Sequence, residues 1–195
     1  GPFRDARELS ALELDTLVKM LPRARQRSVL DRFELEPKRF ILVTLHRPSN
    51  VDDAKVLGEI LQALETIAQH ETVIFPVHPR TRERIARFGL RSEHVRFLDP
   101  LGYLDFLALT QASRVVITDS GGIQEETTFL GIPCLTLRDT TERPVTITMG
   151  TNRLVQGDHQ AILAALDQIS AGDWARAAPP PLWDGNAGKR IASFM

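Results

Sequence analysis

The chain has 195 residues, of which 43% are hydrophobic and 25% charged, and its formal net charge is −1 at pH 7. These values are typical of one soluble globular domain with a single buried core, and they give no electrostatic reason to expect a nucleic-acid partner. No apolar stretch approaches the length of a membrane span, and no secretory signal precedes the first predicted helix. We therefore expect a cytoplasmic protein whose one cysteine, Cys134, is a reduced core residue.

Short apolar runs alternate with longer amphipathic runs along the chain. Residues 5–27 have a helical period and end in basic residues that we expect to face water. The predicted strands are residues 40–45, 72–77, 95–98, 114–118, 134–137 and about 153–155. The predicted helices between and after them are residues 53–70, 81–88, 102–111, 122–130 and 160–169.

The predicted strands are apolar throughout rather than at every second residue. This pattern favours a parallel sheet covered by helices on both faces, so we predict a doubly wound, Rossmann-like α/β domain. We divide the chain into an N-terminal helical segment packed on the domain (residues 1–39), the domain itself (40–171), and a C-terminal tail with a short helix (172–195). Trp174 and Trp183 are expected to anchor the tail by packing.

One motif, TDSGGIQEETT from Thr118 to Thr128, directly follows an apolar predicted strand. A strand that ends in Ser-Gly-Gly and turns at once into a helix presents bare backbone N–H groups. Those groups and the helix dipole favour a phosphate, and the missing β-carbons let it approach the backbone. Glu125 and Glu126 follow on the same helix, where an acid is suited to ribose hydroxyls. The alternative is a glycine turn that only starts a helix.

Polar residues gather directly after the predicted strands. Because ligands of an open parallel sheet bind outside the carboxyl ends of its strands, we expect these residues to share one site. They lie at positions 46–50, 78–80, 99–101, 119–122 and 138–144 and include two histidines and four arginines. Such a set predicts a pocket for an anion. Taken singly, His46 could cap a loop, and Arg143 could pair with Glu142 or Glu126 at the surface.

Other classes of site lack their motifs. The sequence contains neither G-x-G-x-x-G after the first predicted strand nor a P-loop, which disfavours nicotinamide and P-loop nucleotide binding. His46 and His78 have no third metal ligand at a familiar spacing, so we expect no metal. Ser120 lies in D-S-G-G rather than G-x-S-x-G, so a hydrolase elbow is disfavoured. The arginines of residues 80–96 alternate with acids, which is typical of a solvated helix face rather than a nucleic-acid site.

Five motifs taken in order, TLHRPSN, FPVHPRT, LDPLGYLDF, TDSGGIQEE and RDTTERP, resemble those of the non-hydrolysing UDP-N-acetylglucosamine 2-epimerases. The resemblance covers residues 40–155 and, more weakly, continues to about residue 190. It implies two Rossmann-type lobes in the GT-B arrangement, of which this chain is similar to the C-terminal, UDP-holding lobe only. It also implies an isomerase that interconverts UDP-GlcNAc and UDP-ManNAc by eliminating and re-adding UDP, without a metal or other cofactor, in cell-envelope polysaccharide biosynthesis.

The resemblance assigns roles to individual residues. Its implied substrate contacts are Ser120, Gly121 and Gly122 with the diphosphate, Glu126 with the ribose hydroxyls, Phe106 with the uracil and Arg143 with the phosphate charge. His46 matches a catalytic histidine that stabilises UDP as it leaves. Arg47 and His78 match residues that contact a second, regulatory UDP-GlcNAc in some bacterial members. Pro48 and Ser49 depart from the Arg-Glu of many members, beside that regulatory contact.

In the family, the carboxylates proposed to move the C2 proton belong to the N-terminal lobe. We therefore expect this chain alone to bind UDP or UDP-GlcNAc without epimerising it, and to have the missing lobe as a partner, with a homodimer as a further candidate. We expect neither nucleic acid nor membrane as a partner. Two alternatives stay open: the donor lobe of a GT-B glycosyltransferase, and a non-catalytic dimerising module. The second predicts exposed apolar residues in the tail, such as Leu182 and Trp183.

Overall fold

A computed structural model describes residues 6–174 and 180–193. Its sheet has six parallel strands in the order β3-β2-β1-β4-β5-β6. The strands are β1 (Phe40–Thr44), β2 (Thr72–Pro76), β3 (Arg96–Leu98), β4 (Val115–Thr118), β5 (Cys134–Leu137) and β6 (Asn152–Val155). The chain runs from β1 to one edge, returns to place β4 beside β1, and continues to the other edge. The predicted doubly wound, Rossmann-like α/β class is confirmed.

The helices are α1 (Ala6–Ala24), α2 (Val29–Arg32), α3 (Pro48–Val51), α4 (Ala54–Ala68), α5 (Pro79–Arg87), α6 (Tyr103–Ala112), α7 (Gly121–Leu130), α8 (Val145–Thr148), α9 (His159–Ser170) and α10 (Ala187–Ala192). The predicted helices differ from these by a residue or two at their ends. Three helices, α2, α3 and α8, have four residues each and were not predicted. A single turn is too short to show a hydrophobic period, so the sequence pattern gave no signal for them.

The sheet separates two hydrophobic cores. Ile41 and Val43 of β1 face the core that contains α4 and α9, whereas Phe40 and Leu42 face the core that contains α1, α6 and the tail. This alternation follows from the strand geometry, in which successive side chains point to opposite faces. Because both faces are covered, residues 40–43 of β1 are all apolar and buried, in agreement with the unbroken apolar run in the sequence.

Helix α1 and the tail pack together on one face of the domain. Both carboxylate oxygens of Asp15 in α1 accept hydrogen bonds from the start of α10, from Ala187 N at 3.0 Å and Gly188 N at 2.7 Å. Trp183 is only 3% exposed and packs in the same core, as expected of an anchor. Of the two residues named for the dimerising alternative, Leu182 is exposed, at 48%, and Trp183 is not.

The basic residues that end the front segment, Arg23, Arg25 and Arg27, are exposed, as expected. Arg27 also donates to the buried carboxylate of Asp105 in α6 at 2.5 Å, and Arg32 of α2 donates to the same carboxylate at 3.2 Å. Hydrogen bonding from Arg27 is the main reason that the pKa of Asp105 lies below its usual value. The pair joins the segment after α1 to α6. In the described part of the chain, no helix is long and apolar enough to cross a bilayer.

Candidate functional site

The carboxyl ends of β1, β4 and β5 meet around one buried carboxylate, that of Asp119. The strand register pairs Thr44 with Thr118, so the residues after β1 and β4 are neighbours. Asp119 is fully buried and accepts hydrogen bonds from His46 N at 3.1 Å, Arg47 N at 2.9 Å and Asn50 Nδ2 at 3.1 Å. Asn50 also donates to the carbonyl of the last residue of β5, Leu137 O, at 2.9 Å. Asp119 and Asn50 therefore fix three strand ends relative to one another.

The ring of His46 is held by the same carboxylate. Its Nδ1 lies 3.2 Å from Asp119 Oδ1, and the side chain is 46% exposed. When Nδ1 donates its proton to the carboxylate, the other ring nitrogen, Nε2, is left to interact with a ligand. The ring of His78 lies nearby, with the two ring centroids 6.3 Å apart. His78 also accepts from Arg80 N at 3.3 Å and so caps α5.

Helix α7 begins directly at the end of β4 with Ser120, Gly121 and Gly122. Ser120 N donates to Thr118 Oγ1 at 3.0 Å, which shapes the turn into the helix. Aspartate side chains cap α4 and α9, but among the described residues no side chain caps α7. A β-carbon built on Gly121 would meet no described atom within 4 Å. The start of α7 is therefore open space beside backbone N–H groups and the positive end of the helix dipole.

Arg143 is joined to α7 through a contact that the sequence did not reveal. Its Nε is 2.7 Å from Oε1 of Glu125, a carboxylate that is 1% exposed, while Arg143 itself is 31% exposed. Of the surface alternatives, Glu142 pairs with Arg138, and Glu126 accepts a hydrogen bond from Tyr103. The buried carboxylate holds the guanidinium in place because a separated charge at that depth would be costly. An anion at the helix start would then meet a fixed positive charge.

The loop after β5, residues 138–144, also carries a fixed ion pair. Arg138 donates to both carboxylate oxygens of Glu142, at 2.8 and 2.6 Å. This hydrogen bonding lowers the pKa of Glu142 to about 2 and raises the pKa of Arg138. Arg47 Nη2 lies 3.8 Å from the same carboxylate. The loops after β1 and β5 are thus joined by charge as well as through Asn50.

The acid and the aromatic residue predicted to hold the nucleoside lie on α7 and α6. Tyr103 Oη donates to Glu126 Oε1 at 3.2 Å. Burial and, second, the neighbouring carboxylate raise the pKa of Tyr103, so its hydroxyl stays protonated and remains a donor. Phe106 is half-buried and packs against the core that contains α1. The position of the Phe106 side chain is set by this hydrophobic packing.

Sequence patterns missed the residues that hold the site together. Asp119 was noted only as a strand-end residue, and Glu125 only as a helix-start acid. The signal for Asp119 was available: it lies between an apolar strand and a helix start, where several backbone N–H groups from neighbouring loops must converge. The partners of Glu125 and Gln124 have no comparable local signal.

The family model described as UDP-N-acetylglucosamine 2-epimerase matches residues 10–195. The chain belongs to this family. The UDP-GlcNAc 2-epimerase of Methanocaldococcus jannaschii, solved in complex with UDP-GlcNAc and UDP, matches with a TM-score of 0.78 and 31% identity over 94% of this chain and 53% of that chain. The UDP-GlcNAc 2-epimerase of Neisseria meningitidis, bound to UDP-GlcNAc, gives a TM-score of 0.79 and 30% identity over 93% and 52%. The resemblance noted in the sequence is thereby confirmed.

Relatives in the epimerase family act on more than one sugar. The UDP-N-acetylglucosamine 2-epimerase of Methanococcus maripaludis is 36% identical over 165 residues, which are 81% of this chain and 44% of the relative. The UDP-2,3-diacetamido-2,3-dideoxy-D-glucuronate 2-epimerase of Pseudomonas aeruginosa is 42% identical over 157 residues, which are 80% of this chain and 44% of the relative. The chain therefore spans about half the length of these relatives.

Proposed function

We propose that this chain is the UDP-binding lobe of an epimerase that interconverts UDP-GlcNAc and UDP-ManNAc by eliminating and re-adding UDP. One observation carries the proposal: α7 begins without a side-chain cap directly after Asp119, which holds His46, and Arg143 pairs with the buried Glu125 of the same helix. Open backbone N–H groups, an imidazole and a guanidinium around one helix start form a site suited to a diphosphate. Family membership supports the choice of a UDP-sugar.

In this proposal the diphosphate lies over Ser120, Gly121 and Gly122. Backbone N–H groups and the Ser120 hydroxyl donate to the phosphate oxygens, and the absence of a β-carbon at Gly121 leaves room for them. Arg143 neutralises part of the phosphate charge. Because Glu125 already orders its guanidinium, little conformational entropy is lost when the ligand binds.

His46 would act on the leaving group. In the elimination step, the bond between the anomeric carbon and the diphosphate oxygen breaks, and its electron pair goes to UDP. Negative charge therefore develops on the diphosphate, where fixed donors lower the barrier, and removing one such donor costs about 3 kcal/mol in the transition state. We assign the base that takes the C2 proton to the other lobe, since the relatives are about twice as long as this chain.

The nucleoside would lie between α6 and α7. Glu126 would accept from the ribose hydroxyls, and Phe106 would border the uracil. Tyr103 already donates to Glu126, so the ribose would share that carboxylate with it or displace the phenol. Arg47 and His78, on the β1 and β2 side of His46, are the proposed contacts of a second, regulatory UDP-GlcNAc.

Isothermal titration of the folded chain with UDP tests the binding half of the proposal. We expect saturable heat with UDP, weaker binding of uridine, and a loss of roughly tenfold or more in UDP affinity for His46→Ala and for Arg143→Ala. Arg91→Ala, at an exposed arginine away from the strand ends, is the matched control and should bind like the unchanged chain. A folded sample that gives no heat with millimolar UDP would overturn the proposal.

The catalytic half needs an assay of the two-lobed enzyme. We expect it to release UDP-ManNAc from UDP-GlcNAc and to exchange the C2 hydrogen with solvent deuterium. Sugar transfer without C2 exchange would point to the glycosyltransferase alternative. Release of UDP-ManNAc by the pure 195-residue chain would contradict the assignment of the C2 base to the other lobe.

A further inference from the structure

A single buried amide connects the start of α7 with the loop that carries Arg143. Gln124 is fully buried, and its Nε2 donates to Ser120 O at 3.2 Å. Its Oε1 accepts from Thr141 Oγ1 at 2.6 Å and from Asn152 Nδ2 at 3.0 Å. The side chain thus bridges the proposed phosphate site, the loop after β5 and strand β6.

The same contacts hold the backbone of Arg143 from both sides. Arg143 N donates to Thr141 Oγ1 at 2.9 Å, and Arg143 O accepts from Thr146 Oγ1 at 2.7 Å. Asn152 in turn donates to Thr146 Oγ1 at 3.1 Å and accepts from Thr136 Oγ1 at 2.6 Å. We call Gln124, Thr136, Thr141, Thr146 and Asn152 the amide–threonine network.

Every hydrogen bond in the amide–threonine network has a defined direction. The Thr141 hydroxyl donates to Gln124 and therefore accepts from Arg143, and the two protons of the Asn152 amide go to different acceptors. Four of the five members are buried and Thr141 is partly exposed, so a slipped loop would leave buried amide and hydroxyl groups without partners. Apolar contacts would be enough to bury this loop, but they would not fix its position as closely as directional hydrogen bonds do.

We propose that Gln124 and Thr141 are positioning residues, which fix Arg143 at the start of α7 and act on diphosphate affinity only through that arginine. The inference rests on the proposed function, because it requires the diphosphate to bind there. It predicts that loss of the Thr141 hydroxyl weakens UDP binding, although Thr141 itself need not contact UDP. Loss of the Thr141 methyl group should change UDP affinity little.

Three variants isolate the hydroxyl of Thr141. Thr141→Val keeps the shape and removes the hydroxyl, Thr141→Ser keeps the hydroxyl, and Thr148→Val removes a nearby hydroxyl that bonds only within its own turn, to Pro144 O at 3.3 Å. We expect Thr141→Val to weaken UDP binding in titration calorimetry by about tenfold. Thr141→Ser and Thr148→Val should stay within about twofold of the unchanged chain.

A double-mutant cycle distinguishes positioning from a general loss of structure. In an Arg143→Ala background, Thr141→Val should no longer change UDP affinity, and in either background uridine affinity should stay unchanged. Thermal unfolding of each variant checks that it is folded, and Thr141→Ala replaces Thr141→Val if the valine variant does not fold.

The outcomes separate the two proposals. If the unchanged chain does not bind UDP, the proposed function fails and the inference fails with it. If the chain binds UDP but the effects of Thr141→Val and Arg143→Ala simply add, or if Thr141→Val behaves like Thr148→Val, the inference alone is overturned. Loss of UDP affinity that appears only with Arg143 present, and that serine rescues, supports it.

Discussion

The two halves of the carboxyl edge of the sheet use polar residues differently. In the β4–β5 half, Asp119 and the members of the amide–threonine network other than the partly exposed Thr141 are buried. They bond to one another, to backbone, or to the side chains of His46 and Asn50. In the β2–β3 half, charged side chains pair at the surface. Arg80 and Arg84 pair with Asp52, and Arg82 pairs with Asp99, whose side chain is 94% exposed.

The difference indicates where fixed geometry is needed. Exposed pairs contribute about 0–1 kcal/mol and hold loops weakly, because water competes for each charge. Buried polar groups are costly unless every partner is in place, so they survive only as complete and rigid sets. The proposed diphosphate contacts belong to the rigid half, except for His46, which follows β1 and is held by the buried Asp119 of that half. Matched substitutions in the two halves can test whether they differ in this way.

The largest effect is expected at Asp119. Replacing it by alanine leaves several buried donors, including His46 N and Arg47 N, without their acceptor, so we expect a loss of about 3 kcal/mol in the free energy of unfolding. Asp99→Ala removes a carboxylate from the exposed half and should change stability by less than about 0.5 kcal/mol. Urea unfolding measures both. Equal losses for the two aspartates would remove the distinction between the halves.

A smaller loss is expected from an added methyl group at Gly150, beside α8. An added β-carbon would lie 2.3 Å from the backbone oxygen of Thr146 and 2.4 Å from Thr128 Oγ1. The Thr146 oxygen belongs to the backbone of α8, so it cannot move away without distorting that helix. We expect Gly150→Ala to lower the free energy of unfolding by about 1–3 kcal/mol and to displace the network.

Gly58→Ala is the matched control in the other half. There the new β-carbon meets only Leu90 Cδ2 at 3.6 Å, an ordinary contact, in the interior of α4. Because alanine favours helix more than glycine does, stability should rise by roughly 0.5–1 kcal/mol. If Gly150→Ala proved as well tolerated, the packing of α8 against α7 would be looser than the contacts indicate.

Gly121→Ala should separate binding from stability. A β-carbon at Gly121 meets no described atom within 4 Å, so the free energy of unfolding should not fall. In the proposed complex, however, a phosphate lies over this position, and we expect UDP affinity in titration calorimetry to drop by about tenfold. Gly58→Ala should leave UDP affinity unchanged. Unchanged UDP affinity for Gly121→Ala would place the diphosphate elsewhere.

The sequence predicted the sheet and the helix start because both are local patterns. Apolar strands without alternation require a sheet covered on both faces, and Ser-Gly-Gly after such a strand leaves the backbone of α7 open. The partner of Arg143 was not predictable in this way. Glu125 and Glu126 are adjacent in sequence, and only the packing of α7 decides which of them points inward.

The amide–threonine network depends even more on tertiary structure. Gln124 and Asn152 are 28 positions apart and lie on different elements, and neither residue type is typical of a core. Their pairing follows from the register of β5 with β6, which sets Thr136 and Asn152 beside α7. Glutamine after a glycine turn carries no periodic signal that distinguishes a buried bridge from a surface residue.

The smallest effect should appear in the exposed half, where Glu65 of α4 holds the loop before β3. Ser92 Oγ donates to its carboxylate, and His94 Nδ1 lies 2.5 Å from it. The His94 contact is the largest cause of a Glu65 pKa of about 2, and the same contact raises the pKa of His94. A substitution of Glu65 therefore provides a pH test of this contact, and Glu93 within the loop also raises the pKa of His94.

Glu65→Gln should lower the thermal midpoint most between about pH 4.5 and 6.5, the ordinary pKa values of the two groups. Stabilisation by Glu65 is present above its unfolded pKa and is lost as the pH falls toward 2. Stabilisation by His94 is complete below pH 6.5 and is lost as the pH rises through its raised pKa. Glu59→Gln, at a Lys55 pair of 4.0 Å in the same helix, should show little of this dependence. A Glu65→Gln deficit that stays constant from about pH 4.5 to alkaline pH would mean that the carboxylate acts through Ser92 and the backbone alone, without the histidine.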